Sequence, residues 1–296
     1  LMSVKNLVIN EDNNNRRVDN YLISILKNVP KSKIYKIIRR GEVRINSSRV
    51  KASYKLKAGD KLRIPPNIYI NEKNIKNINQ DTLDLHTNDI LFENSNYLIT
   101  NKNANISVHG GTKNNIGLID IFRKKFNKDL DLCHRLDKNT TGCLVLAKNK
   151  KSVLHFNKLL KDQNITKKYH AILKGQLKQN IKVNEPIYKD DKNKKKISMT
   201  QFNIIETFND LTLVEVIIFT GRTHQIRIHS KMINHPILFD NRYGDLDFNK
   251  TIELKTVKNI ALHAKNITFK DMNNKRISAD SPYPESFILL LNELNV

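Results

Sequence analysis

The sharpest boundary in this sequence follows Pro65-Pro66, where the apolar periodicity of the preceding residues stops and a stretch rich in Asn, Asp and Lys runs over 71–87. Consecutive prolines cannot continue a helix or a central strand, and a polar stretch without periodicity has no face to bury. One core cannot pass through it. The sequence therefore predicts a small domain at 1–70, a linker at 71–87 and a larger domain at 88–296, a division that suits 296 residues.

Within 1–70, Val18, Tyr21, Leu22, Ile25 and Leu26 recur at helical spacing and predict a first helix ending before Pro30. Ile34, Ile37 and Ile38 make a second stripe, with Ser32 as the expected N-cap and Gly41 as the stop. Lys33, Lys36, Arg39 and Arg40 fall on its other side. Val43 and Ile45 then alternate with Arg44 and Asn46, a turn is expected at Ser47-Ser48, and Leu62 and Ile64 alternate with Lys61 and Arg63, as in a small sheet. Residues 1–66 hold sixteen Lys and Arg against five Asp and Glu, a net of +11 within a chain total of +23. Lys, Asn and Ile are over-used throughout, as base-composition drift would produce, but uniform drift would not gather nearly half the excess there. A polyanion is the expected partner, and nucleic acid the first to consider.

Beyond residue 88, strand-like runs at 98–100, 144–147, 169–173 and 211–219 alternate with helical ones at 116–126, 152–160 and 223–232. Such alternation indicates a mixed α and β domain with a central sheet. The Lys-rich run 189–196 reads as a solvated hairpin loop. Cys133 and Cys143 match neither zinc nor redox spacing and read as reduced thiols of a cytoplasmic protein. No run has the length of a signal peptide or a membrane span, so no membrane association is expected.

Three segments set charged residues and glycines among apolar ones. HRLDKNTTGCLVLAKN (134–149) places Asp137 and a Thr-Thr-Gly turn before an apolar strand. KKYHAILKG (167–175) places Tyr169 at the start of another. GRTHQIRIHS (221–230), followed by HPILFDNRYG (235–244), ends a strand at Gly221 and is expected to open a helix at Arg222 that carries Arg227. Singly, each is ordinary: an Asp beside a turn is usually a cap, a Tyr starting a strand is usually core, and an Arg on a helix is usually solvated. His134, His224, His229 and His235 near Asp137 and Asp240 raise a metal-dependent hydrolase, but His224 and His229 are five apart, whereas paired zinc ligands on a helix sit four apart.

Together the three segments resemble, in order, identity and spacing, the signature blocks of the RluA-type family of RNA pseudouridine synthases. Independently, VPKSKIYKIIRRGEVRIN (29–46) resembles the α-L RNA-binding module of a ribosomal small-subunit protein. The resemblance implies an α+β fold: a catalytic domain on a mixed, largely antiparallel sheet with flanking helices, plus a small N-terminal α-L RNA-binding domain. It implies isomerisation of uridines in 23S ribosomal RNA by a cytoplasmic monomer, with transfer RNA as the alternative substrate and a non-catalytic ribosome-assembly factor as the alternative role. The base must leave the ribose, turn and rejoin it through carbon, which is internally balanced and requires no metal or small-molecule cofactor. By the resemblance Asp137 is the catalytic carboxylate and Arg227 the cation that keeps it ionised when shielded from water. Tyr169 offers an aromatic face to the extruded uracil and Arg135 helps to replace the flipped base. Lys33, Lys36, Arg39, Arg40, Arg44, Arg222 and His224 are expected on RNA. Three positions depart from the family pattern: Thr141 stands where Ser is usual, Asn103 replaces the Pro of Asn-Lys-Pro and loses a rigid turn, and Cys143 replaces an aliphatic residue.

Overall fold

The apolar stripes of the N-terminal segment fold as the helices they predict. In the computed structural model, residues 4–294 are described apart from 27–28, 67, 69–77, 111–115, 189–194 and 253–258. The chain divides into two compact units, Leu1–Ile78 and Asn79–Val296. The first contains β1 (Lys5–Val8), α1 (Val18–Ile25), α2 (Lys31–Arg39), β2 (Arg44–Ile45), β3 (Ser48–Arg49) and β4 (Lys61–Ile64), with strands in the order β1-β4-β2-β3. Val18, Leu22, Ile34, Ile37 and Ile38 meet Val43, Ile45, Leu62 and Ile64 in one core. Two local expectations are corrected. Asn46 and Ser47, at φ 48° and 67°, form the turn between β2 and β3, because a two-residue hairpin loop needs left-handed backbone at both positions. Helix α2 begins at Lys31 behind Pro30, whose fixed φ takes the N-cap place, so Ser32 lies inside the first turn and caps nothing.

The second unit opens with α3 (Gln80–Thr87), so the latter half of the stretch read as linker is helical. Asn79 caps it by accepting from the Thr82 N–H at 3.0 Å, and Lys125 binds Asp84 at 2.7 Å. The part of that stretch at 71–77 lies outside the described residues. There follow β5 (Ile90–Glu93), β6 (Tyr97–Lys102), α4 (Leu118–Phe126), β7 (Asp131–Leu132), β8 (Thr141–Ala147), α5 (Lys150–Lys161), β9 (Thr166–Lys174), β10 (Ile181–Val183), β11 (Ile187–Tyr188) and β12 (Lys195–Lys196). The chain ends with β13 (Thr200–Thr207), β14 (Leu211–Ile218), α6 (Gln225–Met232), α7 (Leu246–Thr251), β15 (Leu262–Lys270), β16 (Arg276–Asp280) and α8 (Glu285–Leu294). Lys195 and Lys196 pair antiparallel with Tyr188 and Ile187, while 189–194 lie outside the described residues.

Ten strands form one sheet in the order β10-β13-β14-β9-β15-β8-β6-β5, with β16 on β15 and β7 on β8. It is the mixed, largely antiparallel sheet expected: the pairing of β15 with β8 is parallel and the other pairings are antiparallel. Strand β8 is buried along its whole length because helices cover both faces. Leu144 and Leu146 join Phe122 of α4, Ile226 of α6 and Phe287 of α8, while Cys143, Val145 and Ala147 join Phe156 of α5 with Tyr97 and Phe269. Burying a side chain such as Phe122 or Phe156 contributes about 1.5–3 kcal/mol. The departure at Cys143 is accommodated here as a small hydrophobe whose thiol burial pushes up to about 12.

Gly142 fixes the parallel junction. Its φ is +106°, and a Cβ there would stand 2.3 Å from the Ala264 carbonyl oxygen, so a side chain is excluded by conformation and by space. Thr-Thr-Gly is not the turn expected: Thr141 and Gly142 open β8, and the turn stands before them, where the Thr140 N–H donates to the Asp137 carbonyl at 3.2 Å.

Candidate active site

The segment 134–140 is tied down from both ends. Burial holds His134 neutral, pulling its pKa down to about 3, and its Nε2 accepts the Val145 N–H at 3.1 Å, with the ring stacked on Phe156. At the other end Lys102 is buried, and its Nζ donates to the carbonyls of Asn103, Lys138 and Thr140 at 2.9, 3.0 and 2.8 Å. Burial pulls this ammonium down to about 7, while the Asp137 charge favours its protonated form. Thr141, the departure from Ser, donates its hydroxyl to His263 Nδ1 at 2.8 Å; burial brings that ring to about 4 and keeps it an acceptor. Asn103, where a rigid Pro was expected, donates to the Leu85 carbonyl of α3 at 2.9 Å, a bond that Pro could not make.

These anchors present Asp137 to a cleft of about 500 Å³, lined also by Tyr169, Arg135, Arg222, His224 and Arg227. A neighbouring hollow of about 530 Å³ shares Asp137, Arg135, His224 and Arg227 and adds Ser107, Phe239 and Asp240. Arg227 Nη1 donates to Asp137 Oδ2 at 3.1 Å, so the pairing expected from the resemblance is present as geometry. The same guanidinium makes a tighter, two-pronged contact that spacing did not reveal: Nε to Asp240 Oδ2 at 2.7 Å and Nη2 to Asp240 Oδ1 at 2.8 Å. Asp240 Oδ1 also accepts the backbone N–H groups of Arg242 and Tyr243 at 2.9 and 3.1 Å. Burial alone would raise the Asp240 pKa, but the Arg227 bonds and the two N–H groups outweigh it and leave the carboxyl below its usual value. Arg227 is likewise disfavoured by burial and restored by Asp240 and Asp137, which leave it above its ordinary value. Its guanidinium lies over the Tyr243 ring, 5.1 Å from the centroid.

The remaining expected residues separate into groups. Tyr169 is buried on β9, its ring in the cleft wall and its phenol pushed up by burial and by the Asp137 charge. Arg135 is exposed at the mouth, and no hydrogen bond or ion pair holds it among the described residues. His224 comes closer to the carboxylate than an RNA contact at the rim would: Nε2 is 3.8 Å from Asp137 Oδ1, and Nδ1 meets the Tyr243 hydroxyl at 3.1 Å. Burial lowers its pKa more than the Asp137 charge raises it. Arg222 does not open the helix as expected. His224 adopts left-handed backbone at φ 56°, so α6 begins at Gln225, and Arg222 stands exposed on the loop before it with Nε on the Ile197 carbonyl at 3.2 Å. Gln225 locks that loop, accepting from the Thr220 hydroxyl and the Arg222 N–H while donating to Met199 and Thr200.

In the first unit, Lys33, Lys36, Arg39 and Arg40 are exposed on α2 and its C-cap, opposite the buried isoleucines. Arg44 is half-buried, and its guanidinium donates to the carbonyls of Gly41 and Ser47 at 3.3 and 3.2 Å, which commits it to the turn. The histidines behind the metal alternative do not converge. His229 binds Thr200 and the Glu185 carbonyl, His235 binds the Lys174 carbonyl, and no group of three or more His, Cys, Asp or Glu among the described residues could hold a metal ion. No helix among the described residues is long and apolar enough to cross a membrane.

A mixed sheet that sets an arginine-paired carboxylate beside a buried tyrosine in an open cleft, with a small basic unit before it, places the chain in the RNA pseudouridylate synthase family, to which it belongs. The family's sequence profile matches residues 96–231 and that of the S4 domain matches 16–62. Among its relatives, the ribosomal large subunit pseudouridine synthase C of Buchnera aphidicola subsp. Schizaphis graminum is 42% identical, covering 99% of this chain and 98% of that one. The protein of the same name from Haemophilus influenzae is 40% identical over 92% of this chain and 89% of that one. Human RNA pseudouridylate synthase domain containing 4 shares the fold, with a TM-score of 0.61 at 24% identity over 72% of this chain and 95% of that structure. The C type is also the one that the stretch 29–46, the run His109-Gly110-Gly111 and the Phe239-Asp240 pair resemble, with Gly111 outside the described residues.

Proposed function

We propose that this protein isomerises specific uridines of large-subunit (23S) ribosomal RNA to pseudouridine, with Asp137 as the catalytic carboxylate. The observation that carries the reading is the 3.1 Å contact of Arg227 with Asp137 inside a cleft that also holds Tyr169. In the reaction the bond from N1 of uracil to ribose C1′ breaks, the base turns, and C5 bonds to C1′ as its hydrogen leaves and N1 gains one. Nothing is oxidised and no group is transferred, so the chemistry needs no cofactor. Asp137 acts as nucleophile at the sugar or at the base, or removes a proton, and Arg227 pairs with it and aims it. Tyr169 supports the detached base, and Arg135, exposed at the mouth, occupies the space the flipped uridine leaves in the RNA.

The first unit brings the substrate. Lys33, Lys36, Arg39 and Arg40 form a basic face for the phosphate backbone, and Arg222 of the second unit makes its own contact at the cleft rim. Ribosomal RNA places this work in the cytoplasm. Wild-type protein should introduce pseudouridine at defined positions of a large-subunit RNA transcript, and Asp137→Asn should introduce none while binding the same RNA. Pseudouridine formed by that variant would remove Asp137 from the chemistry.

A further inference from the structure

Strand β9 brings a second polar group to the cleft. Lys167 precedes Tyr169 by two residues, so the pleat turns both side chains to the same side of the sheet. Lys167 is 8% exposed and lines the cleft of about 500 Å³ beside His134, Leu160 and Arg222. Its Nζ is 3.7 Å from where a Cβ on Gly221 would stand.

The surroundings of this ammonium differ from those of the other buried lysine. Lys102 satisfies three backbone carbonyls. Among the described residues no ion pair or hydrogen bond holds Lys167, and its Nζ is not one of the fully buried atoms left without a partner, so the ammonium meets the cleft. The neighbouring His134 is held neutral by burial and offers no counter-charge. Burial pulls Lys167 down to about 8, which leaves it a cation at neutral pH. A largely buried cation with no partner among the described residues weakens the fold that carries it, and a counter-charge arriving in the cleft with the ligand would offset that cost. Asp137 is not that partner: its carboxylate meets Arg227 at 3.1 Å, and no ion pair joins it to Lys167.

We propose that Lys167 is an RNA phosphate-binding residue of the cleft, taking a phosphodiester oxygen next to the target nucleotide while Tyr169 takes the base. The inference rests on the reading of this cleft as the uridine site. A full charge needs a full counter-charge, and in RNA only the phosphodiester carries one at neutral pH. The contact adds to binding and leaves the bond-making step to Asp137.

The test compares full-length wild type, Lys167→Met and Lys167→Arg on a large-subunit RNA transcript. Lys167→Met should raise Kd and KM roughly tenfold at moderate salt. It should also reduce the slope of log K against log salt by about 0.7–0.9, the loss of one phosphate contact. Its kcat should stay close to wild type, and its melting temperature should hold or rise because a largely buried cation with no partner among the described residues has gone. Lys167→Arg should keep most of the affinity. An unchanged Kd and slope would overturn the proposal, as would a kcat loss at constant Kd, the mark of a contact to the uracil carbonyls. A fall in melting temperature with the salt slope unchanged would make Lys167 structural and equally overturn it. If wild type forms no pseudouridine while Lys167→Met still loses affinity and slope, the isomerase reading fails and the phosphate site stands.

Discussion

Asp240→Asn removes one charge from the most enclosed part of the site without changing its shape. The Asp240 side chain is wholly buried, and its two oxygens take the Nε and Nη2 of Arg227, leaving Nη1 to point at Asp137. Asparagine can still accept the N–H groups of Arg242 and Tyr243 through Oδ1, but its amide would face the Arg227 Nε–H donor to donor. Removing one partner of a buried ion pair typically costs about 3–5 kcal/mol. Arg227 keeps Asp137 and the Tyr243 ring, so the expected loss of folding stability lies at the low end, near 3 kcal/mol. Catalysis should suffer more selectively. If the freed guanidinium moves by about 1 Å the carboxylate loses its aim, and displacements of that size cost about 100-fold in rate. Because C5 of uridine loses its hydrogen as the product forms, tritium release from RNA labelled at C5 measures the step in a single turnover. The expected result is a kcat about 100-fold lower with KM within a few-fold, in protein that remains folded at the assay temperature. A kcat within about threefold of wild type would refute the argument that Asp240 aims Arg227.

Stability should fall with acid, and the sign follows from two histidines. His134 and His263 have folded pKa values of about 3 and about 4 against 6.5 when unfolded, so their contribution is complete above 6.5 and is lost as pH falls toward 4. Each costs about 1.4 kcal/mol per pH unit across that window; His134→Asn should therefore flatten the acid limb of melting temperature against pH, and a limb of unchanged slope would contradict the buried neutral ring. Gly142→Ala should destabilise by roughly 3 kcal/mol, since it strains a left-handed position and sets a methyl against the Ala264 carbonyl. A wild-type melting temperature in that variant would show that the β8–β15 approach is looser than described.

What could be read from the sequence depended on whether a residue's partner was near it in the chain. Helices α1 and α2 were legible because Val18, Leu22, Ile34 and Ile38 repeat at the period of the face they bury. Helix α3 was not, because its buried residues are Leu83 and the polar Thr87 while Leu85 is 65% exposed, and a single inward apolar residue gives no hydrophobic period to detect. Strand β15 was missed for another reason. Its register on β9 shifts between His263 and Asn266, which breaks the alternation that marks a strand. At the site, residue types were legible and their connections were not. Asp137 and Arg227 pair by resemblance, whereas Asp240, the stronger partner of Arg227, is legible only as a residue of the metal alternative. Its only local signal was the turn Asp240 makes with the N–H groups of Arg242 and Tyr243. Lys102 and Lys167 look alike as letters; three carbonyls distinguish them, and those come from loops folded around one and not the other.

The parallel junction of β8 with β15 also sets an order of events during synthesis. Thr141 finds its acceptor 122 residues downstream at His263, Gly142 lies against Ala264, and Asn101 waits 180 residues for Ser281. A nascent chain that has reached residue 260 already contains Asp137, Tyr169, Arg227 and Asp240, yet lacks the strand against which the turn behind Asp137 is seated. Such late contacts carry the largest loop-closure cost and form last. On the ribosome, this topology withholds a finished cleft from the nascent chain until β15 has been made.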